Sequence, residues 1–166
     1  NYNRPDPEVD NRVEELLARM TLAEKIGQLV QGSPSAPLPP EEIERIAAAA
    51  AAEGRTLGIG DFFGPRAEVE GEIRSGAVGS LLNLADPAEV NRLQRIAVEE
   101  SRLGIPLIVG CDVIHGFRTV FPIPLAESCT WNPDLLERAA RVAAELASAL
   151  GIDWCFARVL ILALDA

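Results

Sequence analysis

The segment Val78-Gly79-Ser80-Leu81-Leu82-Asn83-Leu84, followed by Asp86-Pro87 and, beyond Gly104, by Ile105-Pro106-Leu107-Ile108-Val109-Gly110-Cys111, decides the fold class. Its two ends are short apolar runs that read as buried strands, the second with its proline near the start, where a missing donor is tolerated. Between them Asp86 offers a side-chain cap and Pro87 a first helical residue, opening a helix to about Arg102 that Gly104 stops. Asn132-Pro133 repeats the signal for a helix to Leu150, with Gly151 as its stop, and Ile152 to Leu162 forms a third apolar strand. Continuous apolar strands joined by helical crossovers predict a parallel sheet covered on its faces, hence the α/β class. Three strands are fewer than the eight that close a (β/α) barrel.

Upstream, Val13, Leu16, Leu17 and Met20 recur at helical spacing, and Thr21-Leu22-Ala23-Glu24 offers a capping box for a second short helix carrying Ile26 and Leu29. Pro34 to Pro40 interrupts the pattern. An alanine-rich helix follows from Glu41 to Glu53, then a glycine-rich and aromatic loop from Gly54 to Pro65, in which Gly58-Ile59-Gly60 is too short to argue a phosphate cradle. A short helix from Glu68 to Ser75 ends at Gly76. A long loop is expected between Cys111 and Thr130.

Composition narrows the class. With 48% apolar and 24% charged residues over 166 positions, the chain has the balance of a folded domain rather than of a disordered one. A formal charge of −10 argues against a phosphate-backbone partner, so nucleic acid is excluded as an expectation. Glu14, Glu15, Glu41, Glu42, Glu99 and Glu100 read as solvated helix faces. Cys111, Cys129 and Cys155 lack the spacing of a zinc site or disulfide framework and are expected as buried free thiols. No apolar run is long enough to span a membrane, and the opening Asn1-Tyr2-Asn3-Arg4-Pro5-Asp6 lacks the pattern of an export leader. A soluble protein is expected, with any export signal removed or never present and a periplasmic or secreted compartment left open.

Asp112 directly follows the second strand, and parallel α/β folds bind ligands at the carboxyl ends of their strands. A carboxylate there can accept paired hydrogen bonds from neighbouring sugar hydroxyls. It can equally accept bonds from the backbone of its own turn. His115, the only histidine, is expected to be held in the loop by backbone bonds, and with no second histidine no metal site is expected. Arg118 is placed to pair with Asp112 or Glu127. Trp131 and Trp154 have faces suited to a pyranose, but their contexts predict core positions. Ser33, Thr119 and Ser128 lack a nucleophile-elbow context, and Cys111 lacks a basic partner.

Several motifs occur together and in order. Arg12-Val13-Glu14-Glu15-Leu16-Leu17-Ala18-Arg19-Met20-Thr21-Leu22-Ala23-Glu24-Lys25-Ile26-Gly27-Gln28-Leu29 resembles the opening of the family 3 glycoside hydrolase catalytic domain. Asn91-Arg92-Leu93-Gln94-Arg95, Glu99-Glu100-Ser101-Arg102-Leu103-Gly104-Ile105-Pro106, Asp112-Val113-Ile114-His115-Gly116, Phe121-Pro122-Ile123-Pro124-Leu125-Ala126 and Trp131-Asn132-Pro133 resemble its bacterial β-glucosidase branch. The likeness covers nearly the whole chain and is weakest between Ser33 and Gly71. It implies the N-terminal part of an incomplete (β/α)8 TIM-type barrel over residues 1–166, no cofactor, and a β-glucoside or oligosaccharide substrate. It also implies that Asp112 binds hydroxyls of the sugar on the non-reducing side of the scissile bond.

The resemblance has departures. Where the family has Phe-Ala-Pro, a strand aspartate and Asp-Pro-Arg-Trp-Gly-Arg, this chain has Phe156-Ala157-Arg158, Ile161 and Asp165-Ala166. The family's nucleophile aspartate and acid/base glutamate fall beyond residue 166. A retaining glycosidase needs two carboxyl groups flanking one bond. The expectation is a parent enzyme that hydrolyses terminal non-reducing β-D-glucosyl residues with retention, and an isolated chain with no catalytic residue. Alternatives are a non-catalytic sugar-binding or interaction module and a β-xylosidase or β-N-acetylglucosaminidase branch. An open sheet edge, with Val159 to Leu162 exposed, predicts self-association.

Overall fold

The computed structural model describes residues 6–57 and 59–157. Two helices open it, α1 (Pro7–Arg19) and α2 (Leu22–Gly27). The second is held by the expected capping box: the Thr21 hydroxyl accepts from the Glu24 amide, while the Glu24 carboxylate accepts from the Thr21 amide. Beyond them lie β1 (Gln31–Gly32), β2 (Ser35–Pro37), α3 (Pro40–Ala52), a 3₁₀ turn (Ile59–Phe62), β3 (Phe63–Pro65) and α4 (Val69–Ser75). The second half runs β4 (Ser80–Leu82), α5 (Pro87–Arg95), β5 (Ile108–Asp112), α6 (Pro124–Ser128), α7 (Pro133–Ser148) and β6 (Trp154–Phe156).

Both cap-and-proline signals are used as read. Asp86 accepts from the Ala88 amide at 2.9 Å and Asn132 from the Leu135 amide at 3.1 Å, each with proline as the first helical residue. The helix after Asp86 does not continue regularly to Arg102, however. It loosens into a π-helical turn at Ile96–Glu100 before Ser101 leaves the helical region.

The main sheet is parallel and four-stranded among the described residues, in the order β1-β4-β5-β6. The strand missing from the sequence reading is β1, whose two residues are too few to show an apolar pattern. A second element absent from that reading is the antiparallel pairing of β2 with β3, within the segment read as breaker and loop. The strands are shorter than their apolar runs: residues such as Val78 and Leu107 are buried beside the ladder without joining it. Of the third run, the part from Arg158 onward lies outside the described residues, as do Ile161, Asp165, Ala166 and the Val159–Leu162 patch.

One face of this sheet carries the core. Leu81, Val109 and Cys111 point from it into a cluster with Val90, Leu93 and Ile96 of the α5 segment and with Ala147 of α7. Leu81, Leu93 and Val109 are the largest fully buried side chains. The lead-in to β5 is fixed by Gln94, whose amide donates to the Leu107 carbonyl at 2.7 Å and accepts from its N–H at 2.9 Å. Removing a side chain from such packing forfeits transfer energy and leaves a cavity. Leu93→Ala is accordingly expected to lower the free energy of unfolding by about 3 kcal/mol, measured by urea titration.

The amino-terminal helices are joined to this layer by one buried carboxylate. Arg102 donates from Nε to Glu24 Oε1 at 2.8 Å and from Nη2 to Oε2 at 2.5 Å, and also to the Arg19 carbonyl at 2.9 Å. Bidentate pairing with Arg102, reinforced by the Thr21 N–H, holds the Glu24 carboxyl down at about 2, against an ordinary 4.5. A folded-state value below the unfolded one means the stabilisation is complete above pH 4.5 and is lost as the pH falls towards 2. The urea midpoint should therefore drop across that interval, and Glu24→Gln should make the drop shallower. Glu70 and Glu89, each lowered by hydrogen bonds from Arg92, leave a residual slope in that variant.

Candidate functional site

Because β5 is extended, residues of one parity face the core and those of the other face away. Val109 and Cys111 take the core side, leaving Ile108, Gly110 and Asp112 on the opposite face with their register partners Ser80 and Leu82 in β4 and Trp154 and Phe156 in β6. At β5 and β6 this face is open among the described residues, with Ile108 49% exposed and Trp154 48%, whereas Ser80 of β4 is buried. The rings of Trp154 and Phe156 pack against each other, their centroids 4.6 Å apart and tilted by 41°. Gly110 makes that arrangement possible, since a Cβ there would come within 2.8 Å of the Phe156 ring and 3.2 Å of Gln31 Nε2.

Asp112 ends β5 on this face, level with Phe156. Its Oδ1 accepts from the Ile114 amide at 3.0 Å, the turn bond that the sequence allowed. Its own N–H donates at 3.1 Å to Oδ1 of Asn83, the residue just past β4. Asn83 lies at φ +59°, in the left-handed region, with its N–H donating to the Gly110 carbonyl at 2.7 Å. Asparagine is among the few non-glycine residues that adopt this conformation routinely.

The loop beyond is folded back on itself. Val113 N–H donates to the Phe156 carbonyl at 3.0 Å, and Phe121 N–H to the His115 carbonyl at 2.7 Å. Gly116 closes the turn at φ +84°, where a Cβ would lie 2.2 Å from the Thr119 carbonyl oxygen. The glycine of the Asp-x-x-His-Gly motif is thus required by the path of the chain.

The site therefore joins Asp112 to Asn83, Gln31, Trp154 and Phe156. His115 sits nearby in sequence with its backbone engaged, as expected, and its ring is exposed. Arg118 is exposed, and the Asp112 side chain accepts from the Ile114 amide rather than from it. Neither tryptophan is a core residue. Trp131 is 93% exposed at φ +50°, in the turn ahead of α7, and Trp154 belongs to the open face. For Trp154 the expectation fails because an apolar strand implies burial on both faces, whereas here its own face is open; Trp131 is turned outward by its left-handed backbone ahead of α7. The thiols divide as well: Cys111 is buried, Cys155 half-buried and Cys129 exposed. An apolar groove of about 500 Å³ between the α6 segment and α7, lined by Phe121, Leu135 and Val142 among others, does not include Asp112.

The sequence reading places Asn83 in the strand, because it ends an apolar run, and so gives it no role of its own. Its signal was available: an asparagine one residue past a parallel strand combines tolerance of positive φ with a side-chain acceptor. Gln31 left none, since it sits in a strand of two residues.

A parallel sheet of strands joined by helices, with a carboxylate at the carboxyl end of a strand, is the arrangement of the first part of a TIM-type (β/α) barrel. The chain belongs to glycosyl hydrolase family 3: the profile of the Glycosyl hydrolase family 3 N terminal domain matches residues 21–166. It is 31% identical over 148 residues to the periplasmic β-glucosidase of Salmonella typhimurium, covering 89% of this chain and 16% of that protein. It is 28% identical over 159 residues to the lysosomal β-glucosidase of Dictyostelium discoideum, covering 91% and 19%. Among solved structures, the β-glucosidase of Listeria innocua in complex with gluconolactone superposes with a TM-score of 0.64 at 32% identity, covering 92% of this chain and 19% of the other. The chain thus spans less than a fifth of the length of these relatives.

The Asn83 geometry has a measurable consequence. Alanine at position 83 would meet the left-handed penalty and leave the Asp112 N–H without its acceptor, whereas glycine would lose only the acceptor. Asn83→Ala should cost about 1–2 kcal/mol and Asn83→Gly roughly half of that. Hydrogen exchange at the Asp112 amide should accelerate in both variants.

Proposed function

We propose that this chain is the N-terminal part of a retaining β-glucosidase that hydrolyses terminal non-reducing β-D-glucosyl residues without a cofactor, and that Asp112 binds sugar hydroxyls in it. The observation that carries this reading is the disposition of the Asp112 carboxylate. Oδ1 is committed to the Ile114 amide, while Oδ2 has no hydrogen-bond partner among the described residues and belongs to a side chain on the open face beside the Trp154 and Phe156 rings. A carboxylate anchored by one oxygen and offering the other suits hydroxyl donors, and the rings provide apolar surface near it. The names of the relatives, and the gluconolactone complex of one of them, support a glucosyl ligand.

Asp112 is the one carboxylate at the carboxyl ends of β1, β4, β5 and β6 among the described residues. A retaining mechanism needs a nucleophile and an acid/base about 5–5.5 Å apart. We assign neither role to Asp112, so the 166-residue chain by itself is expected to give no turnover of an aryl β-glucoside above a buffer blank. In a full-length enzyme Asp112→Asn should lower kcat/KM about a hundredfold, equivalent to about 3 kcal/mol, since donors aimed at a charged acceptor would meet a neutral amide. Unchanged efficiency would remove Asp112 from the substrate site.

The same open face motivates the reading that the chain self-associates. β1 and β6 are the edges of the described sheet, and Ile108 and Trp154 expose apolar surface beside them. Size-exclusion chromatography should show species larger than the 17.8 kDa monomer. A sharp monomer peak with one cooperative melting transition would instead favour an independent sugar-binding module. One relative is named periplasmic and another lysosomal, which supports a setting outside the cytosol.

A further inference from the structure

We propose that Cys111 and Cys155 are an oxidisable thiol pair that closes to a disulfide between β5 and β6. The two residues are direct partners in the parallel ladder. Neighbouring strands lie about 4.8 Å apart, within the window of about 4.4–6.8 Å between the Cα atoms of disulfide-bonded cysteines. Register partners project to the same face of a sheet, so both thiols point to the covered side, where Cys111 is buried and Cys155 half-buried. A reagent can enter from one direction, because Cys155 also lines a cavity of about 160 Å³ bounded by Val113, Ile114, Ala139 and Ala143. That volume takes hydrogen peroxide but not a second protein.

The chemistry needs no group beyond the two thiols and peroxide. The Cys155 thiolate attacks a peroxide oxygen, the O–O bond breaks, and the departing hydroxide takes up a proton to leave as water. The resulting sulfenic acid is attacked at sulfur by the Cys111 thiolate, forming the S–S bond and expelling its oxygen as a second water. Two thiols thereby lose two electrons and two protons, and one peroxide is reduced to two waters. Burial pushes both thiols above their ordinary range, which slows the first step and leaves proximity to select the product. The bond would tie β5 to β6 one residue below the level of Asp112 and Phe156.

Cys129 makes the proposal testable. It is exposed at the end of α6 and competes for either partner. In an unfolded chain the 18-residue separation of Cys111 and Cys129 favours that linkage over the 44-residue separation of Cys111 and Cys155 roughly fourfold, by loop-closure entropy. The chain is treated with hydrogen peroxide in native buffer and, separately, in urea, then digested without reduction and mapped by mass spectrometry. The native sample is expected to give the Cys111–Cys155 peptide as its main linkage, and the urea sample to reverse the order. Cys129→Ser should keep the native cross-link. Cys155→Ser should abolish it while leaving Cys111 open to alkylation after unfolding. A native sample with the urea pattern, with only linkages through Cys129, or with Cys111 and Cys155 still reduced after Cys129 has reacted would overturn the proposal.

Discussion

Burial of Leu81 and Val109 against Leu93 is the constraint from which the rest of the architecture follows. Strand geometry allows a residue one of two faces, so once those two side chains are committed to the helices, every residue one position away is committed to the other side. Asp112, Gly110, Ile108, Trp154 and Phe156 are thereby gathered on one surface without any direct interaction requiring it. A slip of one residue in β5 would bury Asp112 among apolar side chains and expose Val109. The cost of burying an unpaired carboxylate alone makes that alternative inaccessible. Packing energy on one face thus sets the chemistry of the other.

Within that frame, the structural role of Asp112 and its proposed role in binding are compatible. The turn reading and the ligand reading were alternatives at the level of sequence, yet a carboxylate has two oxygens and can satisfy both. One oxygen closes the turn onto Ile114, and Asn83 secures the backbone of Asp112 from the neighbouring strand. The aspartate is therefore held from two directions. Such preorganisation would reduce the ordering cost of the proposed sugar binding. Asn83 acts on Asp112 by holding its backbone N–H.

What could be read from the sequence divides along the range of the interactions involved. The α/β class, the helices after Asp86 and Asn132, and the box at Thr21 were legible because each rests on a few adjacent residues whose side chains bond their own backbone. The parallel order of β4, β5 and β6 followed from alternation of strand and helix. By contrast β1 depends on pairing across 49 positions, Gln31 with Ser80, and carries no local pattern. The π-helical turn before Arg102 was equally hidden. So was the role of Arg102: the motif placed it in a helix, but the carboxylate that receives it lies 78 positions earlier. Of the candidate site, the place of Asp112 at the end of a strand was legible, whereas Asn83 and Phe156 became visible only when register set them beside it.

The same argument explains why the exposed apolar residues fall into two groups. Ile108 and Trp154 are exposed because they have the parity opposite to the core. Val9, Val13 and Leu17 of α1, with Leu22 and Ile26 of α2, are exposed on helices whose apolar spacing marks a face meant for packing. Each large apolar side chain gains about 1.5–3 kcal/mol on full burial, so surfaces of this kind favour association over solvation. Glu24 and Arg102 limit how that demand can be met. By fixing α2 to the segment after α5 through a bidentate pair, they hold the helices in one orientation relative to the sheet, so that whatever covers the apolar faces must fit a preset geometry rather than a flexible arm. Coverage of the sheet's open face would also exclude water from around Asp112, and a drier surrounding strengthens the hydrogen bonds its free oxygen can offer. Burial of Ile108 and Trp154 and drying of the surroundings of Asp112 would therefore go together, because parity has put the apolar side chains and the carboxylate on the same side.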